Sequence, residues 1–239
     1  MLRTLILILL FSLSTINQAA VLRIGVPAFD PPFDMQADKN QHLSGFDVEL
    51  MMEICRRLKK DCRFIPSSFV EIFEQLFKRK VDLIIGAISI TAERQKKYLF
   101  SLPYMASYGQ FINKNKAINK IKEIRGQRVG VLAGSLYEQL VSNLFNNDVE
   151  VVRYKLSDNI IDALMNDEID AALMDEAASQ YWKAANSAFN LVGKPIKVGV
   201  GFGIVANKDQ IALIKQINHA LIDMEADGTY LKIYKRYFD

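Results

Sequence analysis

"IIGAISITAERQKKYLFSLPY", residues 84–104, runs an apolar segment straight into a polar one. The stretch that feeds it, "VDLIIGAI" (81–88), is apolar enough to predict a strand buried on both faces of a sheet. Gly86-Ala87 interrupts it, and Ser89, Thr91 and Arg94 follow at once. A helix start leaves N–H groups unpaired, and its dipole attracts an anion. Arg94 adds a planar fork that suits a carboxylate. The same residues also make an ordinary helix start, with Thr91 as the cap and Arg94 as a solvated charge. What surrounds the strand end decides between the two.

Upstream, "VLRIGV" (21–26) reads as a strand, and "AFDPPFD" (28–34) as a rigid loop because of its two prolines. Apolar residues at 46, 50, 51, 54, 55 and 58 have helical spacing. "CRFIP" (62–66) predicts a strand and "EIFEQLFKRK" (71–80) a helix. Strand and helix alternate, which argues an α/β unit with a mainly parallel sheet. The pattern restarts downstream. "RVGVLAG" (128–134), "VEVVRYK" (149–155) and "IDAALMD" (169–175) read as strands, separated by the helical "SLYEQLVSNLF" (135–145) and "SDNIIDALMNDE" (157–168). Extended segments at "MASYGQFINK" (105–114) and "KVGVGFGIVANK" (197–208) suggest that the chain crosses between two lobes twice. The expected division is a first lobe of residues 21–107 with 198–239, and a second of 108–197. The end, residues 210–238, is helical with a stop at Gly228.

Open α/β sheets bind ligands at the carboxyl ends of their strands. Those ends are Asp30, Ser89 to Arg94, Gly134-Ser135 and Asp175. Gly134-Ser135 repeats the anion-ready helix start, but without the lysine and glycine spacing of a phosphate loop. Asp175 can cap the following helix or receive an ammonium group. Phe69, read as a loop residue between strand and helix, can cover an aliphatic ligand stem or simply fill the core. Asp47, in "GFDVEL" (45–50), belongs to the helix start and to the fold.

Residues 1–20, "MLRTLILILLFSLSTINQAA", have the order of a secretory signal peptide: Arg3, an apolar run, then Ala19-Ala20. An uncleaved anchor is the other reading, though the run is short for a bilayer. The formal net charge of +3, lowered by one when Arg3 is removed, carries no basic stripe with interleaved aromatics, so nucleic acid is not an expected partner. In the oxidising compartment that export implies, Cys55 and Cys62 are expected to pair, with metal binding as the weaker alternative. Neither His42 nor His219 has a readable catalytic partner, and no metal or cofactor motif is present.

The motifs "GFDVEL", "ISITAERQKKYLFSLPY", "VGVLAGS", "IDAALMDEAA" and "ADGTYLKIYKRYF" occur in an order and spacing that resembles the periplasmic solute-binding proteins of polar amino-acid ABC transporters, from about Val21 to Asp239. The binders of arginine and of lysine, arginine, ornithine and histidine look closest. The resemblance implies a type II two-lobed α/β fold, with two parallel-sheet lobes joined by two hinge strands. It implies a periplasmic, non-enzymatic monomer that takes a free L-amino acid and passes it to an inner-membrane ABC permease, with no cofactor and no metal. Cys55 and Cys62 match a disulfide of the basic-amino-acid members. Arg94 matches the clamp for the ligand α-carboxylate. Ser89 matches a hydroxyl that meets both carboxylate and amine, and the Ala87 carbonyl an acceptor for the amine. Asp175 matches the partner of the α-ammonium. Ser135 and Leu136 match a turn whose N–H groups meet the carboxylate, and Phe69 an aromatic that stacks on the side chain. Asp30 departs from the pattern, standing where the family usually has Tyr or Phe, while Pro27 stands where some basic-ligand members have an acid. We read Asp30 as that acid moved along the loop to face a cationic side chain. An enzyme on the same scaffold, such as a cyclohexadienyl-type dehydratase, is the competing expectation and would need a general acid at Asp30 or Asp175.

Overall fold

The computed structural model describes residues 21–36 and 42–239. The expected signal peptide therefore lies outside the described residues. In chain order, β1 (Leu22–Pro27), the short pair β2 (Met35–Gln36) and β3 (Leu43–Ser44), α1 (Phe46–Leu58), β4 (Cys62–Ser67), α2 (Phe69–Phe77), β5 (Leu83–Ile84), α3 (Ala92–Lys97) and β6 (Leu99–Phe100) come first. Next are β7 (Tyr108–Asn113), β8 (Arg128–Leu132), α4 (Tyr137–Phe145), β9 (Glu150–Tyr154), α5 (Ser157–Met165), β10 (Ala171–Asp175), α6 (Glu176–Ala185) and β11 (Asn190–Lys197). The chain ends with β12 (Val205–Ala206), α7 (Ile211–Ala226) and α8 (Thr229–Phe238).

Two five-stranded sheets form, ordered β4-β1-β5-β12-β6 and β11-β7-β10-β8-β9. The fold is thus the expected two-lobed α/β arrangement, but its sheets are mixed rather than parallel. β1 runs parallel to β4 and β5, whereas β12 is antiparallel to β5 and β6. In the other sheet β8 is parallel to β9 and β10, whereas β7 is antiparallel to β10 and β11. The reason is connectivity. The parallel pairs are βαβ units, while β7, β11 and β12 flank the crossings and enter their sheets from the hinge side.

Local chemistry explains the other departures. The ladder of "VDLIIGAI" stops after Ile84 because Gly86 (φ 148°) and Ala87 (φ 47°) turn the backbone out of the sheet. Phe69 opens α2 rather than lying in a loop, since Ser68 takes the N-cap position and its N–H donates to the Glu71 carboxylate at 3.2 Å. β11 was not anticipated, because "NLVGKPIK" lacks alternation and its register shifts between Val192 and Ile196.

In the first lobe, α1 buries Phe46, Leu50, Met51 and Ile54 against α7 and α8. A Cβ at Gly45 (φ 124°) would lie 2.1 Å from the Phe33 carbonyl oxygen, so only glycine lets the proline loop seat on the start of α1. Cys55 and Cys62 form a disulfide, with Cα atoms 6.2 Å apart, that joins the end of α1 to β4. The crossings at 101–107 and 198–204 pair with each other: Phe202 N–H donates to the Met105 carbonyl (2.8 Å) and Tyr104 N–H to the Phe202 carbonyl (2.9 Å).

Candidate functional site

All eight candidate residues (Asp30, Phe69, Ala87, Ser89, Arg94, Ser135, Leu136 and Asp175) line one small inter-lobe cavity. Leu132, Tyr137, Ser157, Ile160 and Met174 complete its wall and were missed. Ser157 opens α5 just after β9, so it too stands at a strand end. Tyr137 carried no signal, since an aromatic at a helix start more often fills the core.

The opening stretch turns out to be both helix start and site wall. Thr91 caps α3, its hydroxyl accepting from Arg94 N–H at 3.2 Å. The Arg94 guanidinium lies 5.5 Å from the Phe69 ring and 5.4 Å from the Phe73 ring. Its Nη1 donates to the Ser89 carbonyl at 3.1 Å. Among the described residues no acid pairs with it within 4.0 Å, and its side chain lines the cavity. Cation–π contacts hold such a group in place at modest free energy. The Ser89 and Ser107 hydroxyls share a hydrogen bond at 2.8 Å where the chain leaves for the second lobe.

Ala87 sits in the left-handed region, which disfavours a side chain by roughly 1–2 kcal/mol. Its N–H donates to Asp47 Oδ2 at 2.7 Å, and Tyr104 O–H donates to the same oxygen at 2.9 Å. With the N–H so occupied, Ala87 has its carbonyl to offer a ligand. Asp47 is therefore the buried brace of this turn, in keeping with its reading as a fold residue.

Across the cleft, Asp175 holds the N-cap position of α6 yet makes no side-chain cap bond. Instead it accepts from the Tyr137 hydroxyl at 2.6 Å. Burial pushes its carboxyl well above the ordinary range, the Asp30 charge adds to this, and Tyr137 and Arg94 oppose it. The second-lobe turn is less open to an anion than its sequence suggests. Ser135 N–H closes onto the Leu132 carbonyl at 3.1 Å, and Gly134 N–H donates to the Glu138 carboxylate at 2.6 Å.

Asp30, which a proline loop would ordinarily expose, is 6% exposed. Its Oδ1 accepts from Ser157 of the second lobe at 3.2 Å. Burial lifts its carboxyl to about 7, against the pull of that bond. The lobes also meet through the Glu71–Lys155 ion pair (2.9 Å) and the Phe29 and Trp182 rings (6.3 Å), so the cleft is closed. At the rim, a Cβ on Gly134 (φ 75°) would come 2.8 Å from Val70 Cγ2. Among the described residues no His, Cys, Asp and Glu cluster is arranged to hold a metal ion, and no helix is long and apolar enough to cross a membrane.

Residues 22–239 match the model of the bacterial extracellular solute-binding proteins, family 3. The histidine-binding periplasmic protein of Escherichia coli (strain K12) is 34% identical, the match spanning 98% of this chain and 94% of that protein. A crystal structure of an arginine 3rd transport system periplasmic binding protein from Legionella pneumophila superposes with a TM-score of 0.87 at 42% identity, covering 91% of this chain and 99% of that one. An ancestral arginine-binding protein bound to arginine superposes at 0.85 with 32% identity, covering 92% and 98%. With two lobes closed on a polar cavity and these full-length likenesses, the chain belongs to the bacterial extracellular solute-binding proteins, family 3.

Proposed function

We propose that the protein is the periplasmic substrate-binding component of an amino-acid ABC importer and takes a basic amino acid, arginine first. The observation that carries this reading is the charge count of the cavity. Two acids, Asp30 and Asp175, face it with one base, Arg94; Asp30 is buried and the other two are half-buried. An amino acid with a cationic side chain brings one carboxylate and two cations, the complement of that set. A neutral amino acid would leave one acid unpaired, and an unpaired buried charge is strongly unfavourable.

In this reading Arg94 holds the α-carboxylate with help from Ser89 and the turn at Ser135 and Leu136. Asp175 and the Ala87 carbonyl receive the α-ammonium. Phe69 covers the side-chain stem, and Asp30 pairs with the guanidinium. The lobes divide as residues 21–107 with 198–239, and 108–197, and they close about the two crossings. Residues 1–20 direct export, and the protein acts as a non-enzymatic monomer that docks on an inner-membrane permease. The histidine- and arginine-binding relatives support this class of ligand.

A thermal-shift screen against the common amino acids, followed by calorimetry, tests the reading. A ligand at a hundred times its Kd should stabilise by about 2.7 kcal/mol. Arginine, lysine, ornithine or histidine should give the largest shift. A largest shift from an acidic or neutral amino acid would refute the charge argument, and turnover of prephenate would refute the non-enzymatic assignment.

A further inference from the structure

Asp175 ends β10 and stands at the N-cap position of α6. An aspartate there ordinarily accepts from the first N–H groups of its own helix, and that bond stabilises the helix. Asp175 makes no such bond. Its Oδ1 accepts from the Tyr137 hydroxyl at 2.6 Å, and among the described residues no other group donates to its carboxylate. The same carboxylate lines the ligand cavity, as does Tyr137.

The seat of the tyrosine is built into the sheet. Tyr137 opens α4 and is 4% exposed. Its ring packs against β7 at Gly109, and Gly109 is the residue paired with Asp175 across the β7–β10 ladder. A Cβ at Gly109 would lie 2.7 Å from Tyr137 Cε1. Gly109 lies within a regular strand and has no left-handed φ, so the backbone there does not call for glycine. The close approach of the ring does. The hydroxyl's other neighbour, the Tyr108 carbonyl, is 3.4 Å away, so Asp175 is its short contact.

We propose that Tyr137 is a positioning residue for ligand binding: seated on Gly109, its hydroxyl withholds the Asp175 carboxylate from α6 and presents it to the α-ammonium of the ligand. This rests on Asp175 as the partner of that ammonium. A carboxylate has lone pairs for several donors, so one oxygen on Tyr137 leaves the other to the ligand. Without the hydroxyl, Asp175 is free to cap α6 through the N–H of Ala177 or Ala178, and the ligand must compete with the helix for it.

Calorimetry with arginine and with δ-guanidinovalerate, which is arginine without its α-amino group, reads the effect. Tyr137→Phe keeps the ring and should weaken arginine by about tenfold or more, as expected for a hydrogen bond to a charged group. δ-Guanidinovalerate should lose much less. Gly109→Ala displaces the ring and adds no polar atom, and it should give the same bias. Equal losses for the two ligands in either variant, or no loss in Tyr137→Phe, overturn the proposal, because a merely structural role does not distinguish them. Asp175→Asn separates the proposal from the reading beneath it. Bias in Asp175→Asn without bias in Tyr137→Phe overturns the role of Tyr137 alone; no bias in Asp175→Asn overturns the ammonium assignment as well. A crystal structure of ligand-free Tyr137→Phe should show the Asp175 carboxylate bonded to the Ala177 or Ala178 N–H. Asp175 unmoved in that structure overturns the proposal, whatever ligand the wild type takes.

Discussion

Asp30→Asn separates the charge reading from a merely structural one. Asparagine keeps the shape and can still accept from Ser157, which lies 3.2 Å from Asp30 Oδ1. Only the negative charge is lost. At 6% exposure the site is buried, where an effective dielectric constant near 20 gives about 4 kcal/mol for unit charges about 4 Å apart. Removing one partner of such a pair typically costs about 2–5 kcal/mol, so arginine should bind roughly a thousandfold more weakly. Citrulline, its uncharged isostere, should lose little. The variant's own stability should move the other way. Burial raises the Asp30 carboxyl to about 7, so above that pH the ligand-free closed protein carries a buried, ionised acid. Asparagine relieves this, and the ligand-free Tm at pH 8 should rise. Calorimetry with arginine and citrulline, together with a melting curve, reads all three. Arginine affinity within threefold of wild type, or equal losses for arginine and citrulline, would refute the assignment.

Arg94→Ala should weaken every amino-acid ligand by about 2–5 kcal/mol, citrulline included, because the α-carboxylate loses its partner; near-native affinity by calorimetry would sink the clamp. For the ligand-free protein, the folded state holds protons that the unfolded chain releases near pH 4, since burial raises Asp30 and Asp47 to about 7 and Asp34 well above its usual range. These groups therefore destabilise progressively as pH rises from about 4 through 7, so Tm should fall from pH 5 to pH 8 and the gain in Tm from arginine should grow over the same interval. Replacing Cys55 and Cys62 together by Ala should lower stability by about 2.5 kcal/mol through loss of the loop constraint, a drop of roughly 5–10 °C in Tm; an unchanged melting curve would contradict it.

Elements with strong local signals were legible from the chain. The face of α1, the cap of α3 and the stop at Gly228 (φ 78°) all follow from spacing, hydroxyl placement or glycine geometry. These forces act within a few residues, so a linear reading captures them. The mixed sheets were not legible, because strand direction depends on how the chain re-enters a sheet after about a hundred residues. Nor was the pairing of the Gly134 and Ser135 N–H groups, taken up by the Glu138 carboxylate and the Leu132 carbonyl.

The sequence alone determined which residue types stand at the strand ends: an arginine with hydroxyls, and acids at 30 and 175. Tertiary structure decided what those residues are to one another. Asp30 is buried and bonded to Ser157 of α5 in the far lobe, and Asp175 accepts from Tyr137 rather than capping its own helix. Burial and charge pairing depend on distance in space, and only the closed pair of lobes brings these groups around one cavity.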